Sequence, residues 1–114
     1  MPNAHEAVGV HEKPRTYSLN RAHRDGRDKA RAFRSMLGLT QADIEYLARA
    51  LVAGLVTTPL RRVRENPPHG LICDVWIMVE GLGDRADRAA VVRTSWELRY
   101  EGDAPRLVTA YPRA

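Results

Sequence analysis

His23 stands in the polar stretch Asn20 to Asp28, with Arg24 beside it and Arg27 four residues on. A histidine can take or give a proton near neutral pH. Arginine is permanently charged and forks onto phosphate oxygens. Between Arg21 and Arg34 lie six basic residues against two acidic ones, an excess of four that equals the +4 charge of the whole chain. From Pro67 to Ala114 the balance is six basic against seven acidic. A local basic patch on a near-neutral body points to an anionic partner, nucleic acid first. The alternative is a solvated helix face salted with arginine. Sixteen of the 18 basic residues are arginine, which a GC-rich genome would also produce.

These residues need elements to hold them. Residues 1–16, with two prolines and two histidines, read as a flexible tail, and residues 17–114 as one α+β domain. Asp25-Gly26 signals a turn, and Asp28 suits the N-cap of a helix from Lys29 to Leu37. Ala30, Phe33 and Leu37 would be its buried stripe, and Gly38 its C-cap. Thr40 with Asp43 forms a capping-box variant that opens a second helix. Ile44, Leu47, Leu51 and Leu55 give that helix one apolar face, while Gly54 weakens its last turn and Pro59 stops it.

The period then changes to two. Leu60 to Arg64 reads as a short, arginine-rich edge strand. Leu71–Glu80 and Ala89–Tyr100 read as strong strands, and Arg106–Tyr111 as the last. Val75, Ile77 and Val79 share a face with Cys73, opposite Asp74, Trp76 and Met78. Val92, Trp96 and Leu98 share one with Thr94, opposite Arg93, Ser95, Glu97 and Arg99. The predicted fold is α+β, with two N-terminal helices packed on one face of a roughly four-stranded antiparallel sheet. Its other face would be polar, either a binding floor or a plain solvent face.

A chain of 114 residues has room for one core. Its single cysteine, Cys73, excludes a disulfide framework and a cysteine-rich zinc site, and suits the core. No apolar run approaches the roughly 18 residues that span a membrane, and no signal peptide is evident at the N-terminus. The expectation is a cytoplasmic protein without metal or cofactor. Ser35 and Ser95 lack a nucleophile motif, and Gly81-Leu82-Gly83 is too short for a nucleotide loop. Trp76 and Trp96 read as core anchors.

Leu19, Asn20, His23, Gly26, Lys29, Ala30, Phe33, Leu37 and Gly38 follow the pattern L-N-x-x-H-x-x-G-x-x-K-A-x-x-F-x-x-x-L-G. Trp96, Pro105, Leu107, Thr109, Tyr111 and Pro112 follow an ending with the core P-x-L-x-T-x-Y-P. Together they resemble an uncharacterised bacterial domain family found in phage-associated proteins and at the C-termini of polymorphic toxins. The resemblance runs from Tyr17 to Pro112 and is weaker in the middle. The order of helices and strands is similar to that of the barnase–EndoU–colicin–RelE ribonucleases, which work without metal.

That resemblance implies a small, toxin-like ribonuclease leaving a 2′,3′-cyclic phosphate. Such cleavage needs a base for the 2′-hydroxyl proton, an acid for the 5′-oxygen, and cations on the phosphorane. The expected catalytic set is His23, Lys29, Arg93, Thr109 and Tyr111, with Arg24, Arg27 and Arg31 on the substrate. Plainer readings stand beside these. His23 could be a solvated loop histidine, Lys29 a helix surface residue, Thr109 a good strand former, and Tyr111 a half-buried terminal tyrosine. RNA is the expected partner, with a cognate antitoxin or immunity protein if the chain is toxin-derived. With no delivery region in view, the expectation is an excised toxin domain, acting where it is delivered, or a free-standing intracellular protein. A non-catalytic module for nucleic acid or an acidic partner is the alternative, and a phage-type structural protein the third.

Overall fold

The computed structural model describes residues 1, 3–14, 27–67, 70–99 and 103–113. His23 and Arg24 lie outside the described residues, as does the side chain of Arg27. The fold is α+β, with two helices and a four-stranded antiparallel sheet in the order β1-β2-β3-β4. The helices are α1, Arg27–Leu37, and α2, Ile44–Thr57. The strands are β1, Arg62–Glu65; β2, Leu71–Glu80; β3, Ala89–Leu98; and β4, Arg106–Arg113. Consecutive strands pair, as short connections between antiparallel neighbours favour.

Alternation sets the two faces of the sheet. Val75, Ile77 and Val79 of β2, Val92 and Trp96 of β3, and Leu107 and Ala110 of β4 are buried. They join Phe33 and Leu37 of α1 and Leu47, Leu51 and Leu55 of α2 in one cluster. Each large apolar side chain so buried is worth roughly 1.5–3 kcal/mol. The Trp96 indole N–H still finds an acceptor, Thr94 Oγ1 at 2.7 Å, and Thr94 in turn donates to the Val75 carbonyl at 2.6 Å. Cys73 is buried as expected, and burial pushes its thiol pKa up.

The helix ends follow local chemistry. Gly38 takes φ +69°, and its N–H bonds the Arg34 carbonyl at 2.9 Å, closing α1. Thr40 and Asp43 do form a capping box, in which Asp43 Oδ2 accepts the Thr40 N–H at 2.9 Å. The box caps a single 3-10 turn, Gln41–Asp43, which leads straight into α2. Asp28 is not the N-cap of α1. The helix begins at Arg27, two residues before the expected Lys29, and Asp28 sits in its first turn, where a carboxylate favours the helix dipole. Gly54 has a packing role: a Cβ there would lie 3.0 Å from Ile77 Cγ1 and 3.1 Å from its Cβ. The missing side chain lets α2 settle directly on β2.

The expected arrangement of two N-terminal helices needs correction. A packed segment precedes them. Ala4 and Val10 enter the core, and Val8 forms a parallel bridge with Arg106 of β4. The Val8 N–H donates to the Pro105 carbonyl at 2.9 Å, and the Leu107 N–H to the Val8 carbonyl at 3.0 Å. The expected tail therefore takes up backbone groups at the β4 edge and adds apolar side chains to the core. The helices also divide the sheet between them, α1 against β3 and β4 and α2 against β2.

Candidate nucleic-acid interface

The face of the sheet away from the core is read most easily by rows. Arg62, Asp74, Ser95 and Thr109 are successive register partners across β1 to β4. The next row is Trp76, Arg93 and Tyr111. Directly paired residues project to the same side, so the two rows form one continuous patch. A shift in register between Ser95 and Trp96 places Thr109 opposite Ser95 and Leu107 opposite Trp96. This irregularity keeps Thr109 and Tyr111 on the outer face while Leu107 stays in the core.

Within the patch lies an open cleft of about 330 Å³. Arg61, Arg62, Arg64 and Arg93 line it, with Asp74, Trp76, Ser95 and Tyr111. Two guanidiniums lie over the Trp76 ring, Arg61 Cζ at 3.5 Å and Arg93 Cζ at 3.9 Å from its centroid. Such stacking holds a guanidinium plane flat and leaves its N–H edges for an acceptor; each contact contributes about 0.5–2 kcal/mol. Arg93 Nε is buried and has no hydrogen-bond partner among the described residues. A buried donor left unmet costs on the order of 1–3 kcal/mol.

Asp74, the one carboxylate among the described residues of the cleft, accepts from two side chains. Arg64 donates to Asp74 from Nε at 3.3 Å and from Nη2 at 3.0 Å. Ser95 Oγ donates to Asp74 Oδ1 at 2.7 Å. Burial pushes the Asp74 pKa up, but the hydrogen bonds from Arg64 and Ser95 and the charges of Arg64 and Arg62 outweigh it. The carboxyl thus sits below its ordinary value and stays ionised at neutral pH, while the Arg64 pKa is raised by the same pair. One carboxylate among four guanidiniums leaves the cleft strongly positive.

Four of the expected residues come together here. Arg93 and Tyr111 are cross-strand partners. Lys29 reaches from the first turn of α1, its Nζ 5.6 Å from the centroid of the Tyr111 ring. Thr109 lies one row away, beside Ser95. Arg31 is not part of the patch. It lines a separate groove of about 650 Å³ with Arg34 and Arg85, at the far end of α1. Two positions along a helix turn a side chain through about 200°, which carries Arg31 away from Lys29.

Sequence reasoning missed Arg61, Arg62, Arg64, Asp74, Trp76 and Ser95 as site residues. The signal was present. Alternation puts Trp76 and Asp74 on the polar face, and pairing β2 with β3 sets Trp76 against Arg93. Trp96 is a core anchor as expected; Trp76 is the floor of the cleft. Among the described residues no group of three His, Cys, Asp or Glu side chains could hold a metal ion. No helix among them is long and apolar enough to cross a membrane.

No curated protein and no solved structure matches the chain. A family model matches residues 1–114, and the chain belongs to that family, described as a domain of unknown function, DUF6883.

Proposed function

We propose that this domain binds RNA on the outer face of its sheet and cleaves it without a metal, in the manner of a small toxin-like endoribonuclease. The observation that carries the reading is the convergence of Lys29, Arg93, Thr109 and Tyr111, from three distant parts of the chain, on one arginine-rich face. In the reaction the 2′-oxygen attacks phosphorus and forms a P–O2′ bond as the P–O5′ bond breaks. A base takes the 2′-hydroxyl proton and an acid returns one to the departing 5′-oxygen. His23 is assigned one of these proton transfers. Arg93 and Lys29 steady the charge on the phosphorane. The site of action is the cytoplasm of the producing or a recipient cell, with an immunity protein as cognate partner in the toxin setting.

The products test this. An oligoribonucleotide incubated with the protein in EDTA should give 2′,3′-cyclic phosphate ends, and a DNA of the same sequence should remain whole. Cleavage of both strands alike, or 3′-hydroxyl ends, contradicts the mechanism.

A second reading has its own observation. The one carboxylate in the cleft is held ionised by two partners, so the described residues supply charge and hydrogen bonds there but no poised proton carrier. On that reading the face is a non-catalytic module for nucleic acid. Saturable, salt-sensitive RNA binding with no product would favour it.

A further inference from the structure

We infer that the cleft on Trp76 is a phosphate site that excludes the nucleobase. The usual use of an aromatic side chain on an open sheet is to stack a base. Here the Trp76 ring already carries the guanidiniums of Arg61 and Arg93, at 3.5 and 3.9 Å. A base would have to displace a charged partner to reach that ring. A phosphate needs no displacement. It meets guanidinium edges already fixed in place, from one arginine just before β1 and one in the middle of β3.

Arg93 gives independent support. Its Nε–H is buried and unmet among the described residues, in a cleft lined by further arginines. With Nε closed off, Arg93 offers a ligand in the cleft its terminal Nη groups, and guanidinium with phosphate gives a two-point bond. Asp74 sharpens the site from the other side. By holding Arg64 through two hydrogen bonds, it leaves Arg61, Arg62 and Arg93 for the ligand, of which Arg61 and Arg93 lie over Trp76. The cleft therefore reads the backbone, and RNA binding here is indifferent to base identity.

The inference rests on the RNA-directed reading only for what the phosphate belongs to. It is tested with inorganic pyrophosphate and with uridine, followed by tryptophan fluorescence. Trp96 is fully buried and bonded to Thr94, so the response reports Trp76. Pyrophosphate should give a saturable, salt-sensitive change and uridine none. Arg93→Ala should weaken pyrophosphate about tenfold or more. Arg93→Lys should weaken it nearly as much, because lysine keeps the charge and loses the planar fork and the stack. Arg61→Ala, on an exposed residue outside the strand, gives the same test if the Arg93 variants do not fold. A response to uridine equal to that of pyrophosphate, no response to pyrophosphate, or wild-type affinity in Arg93→Lys would each overturn the inference. A protein that binds pyrophosphate in this way yet leaves RNA intact keeps the phosphate site and loses the ribonuclease.

Discussion

The guanidinium carbon of Arg93 lies 3.9 Å from the centre of the Trp76 ring, and the two residues are direct partners across the β2–β3 ladder. That pairing turns a tryptophan on the outer face into a support for charge. It also joins the rest of the face. Arg93 leads across β4 to Tyr111, and Tyr111 meets Lys29 from the helical layer. A residue from the opening motif and one from the closing motif therefore meet at the edge of a cleft built by the middle of the chain.

Lys29 and Arg31 are two residues apart on α1 but serve different surfaces. Lys29→Ala should weaken RNA binding and reduce the salt dependence by about one phosphate contact. Arg31→Ala should change both less. Filter binding at several salt concentrations separates them, and equal losses would show a diffuse basic surface instead of a site.

Asp74 links the cleft to pH. Its folded pKa is depressed, so its contribution to stability is complete above the ordinary aspartate value of about 3.9 and is lost as pH falls through the lower folded value. Asp74→Asn lacks this term. The urea midpoint of the wild type should exceed that of the variant at about pH 6, and the gap should narrow toward about pH 3. A gap that stays constant with pH would mean that the carboxylate's charge is not what Arg64 and Ser95 hold.

Thr94 should matter to stability and not to binding. Thr94→Val removes the acceptor of the Trp96 N–H and the donor to the Val75 carbonyl, both inside the core. A loss of about 1–3 kcal/mol is expected, with RNA affinity per folded molecule unchanged. Chemical denaturation and binding on the same preparation check both halves.

Gly54 gives a test of the helix–sheet contact. Alanine is the better helix former by about 1 kcal/mol, yet its Cβ would collide with Ile77. Gly54→Ala should therefore destabilise by about 1–3 kcal/mol. In an Ile77→Ala background, which lacks the Cγ2 and Cγ1 atoms that the new Cβ would meet, Gly54→Ala should cost less than it does in the wild type. A stabilising Gly54→Ala would mean that α2 does not lie this close to β2.

Much of the fold was legible because each element carries its own period. The bounds of β2 are legible because a breaker and a glycine enclose the run, and burial alternates from Cys73 to Glu80. The N-terminal segment was not legible. Its apolar residues are few and unpatterned, and only the β4 edge explains why Val8 lies where it does. The site was half legible for a similar reason. The motif residues can be found from their spacing alone, whereas Arg61, Arg64 and Asp74 acquire a role only through strand register. Trp76 shows the limit most clearly. Its period placed it on the polar face, but its residue type argued for the core, and the arginines that cover it decide between the two.

The most direct test of the central claim is incubation of total RNA in EDTA with the wild type, His23→Ala and Arg93→Ala, purified identically and matched for folded content. The wild type should cleave, and both variants should lose about a hundredfold or more in rate, as removal of a proton carrier or a charge stabiliser does. Equal cleavage by all three, or none by a wild type that binds the same RNA, would contradict that claim.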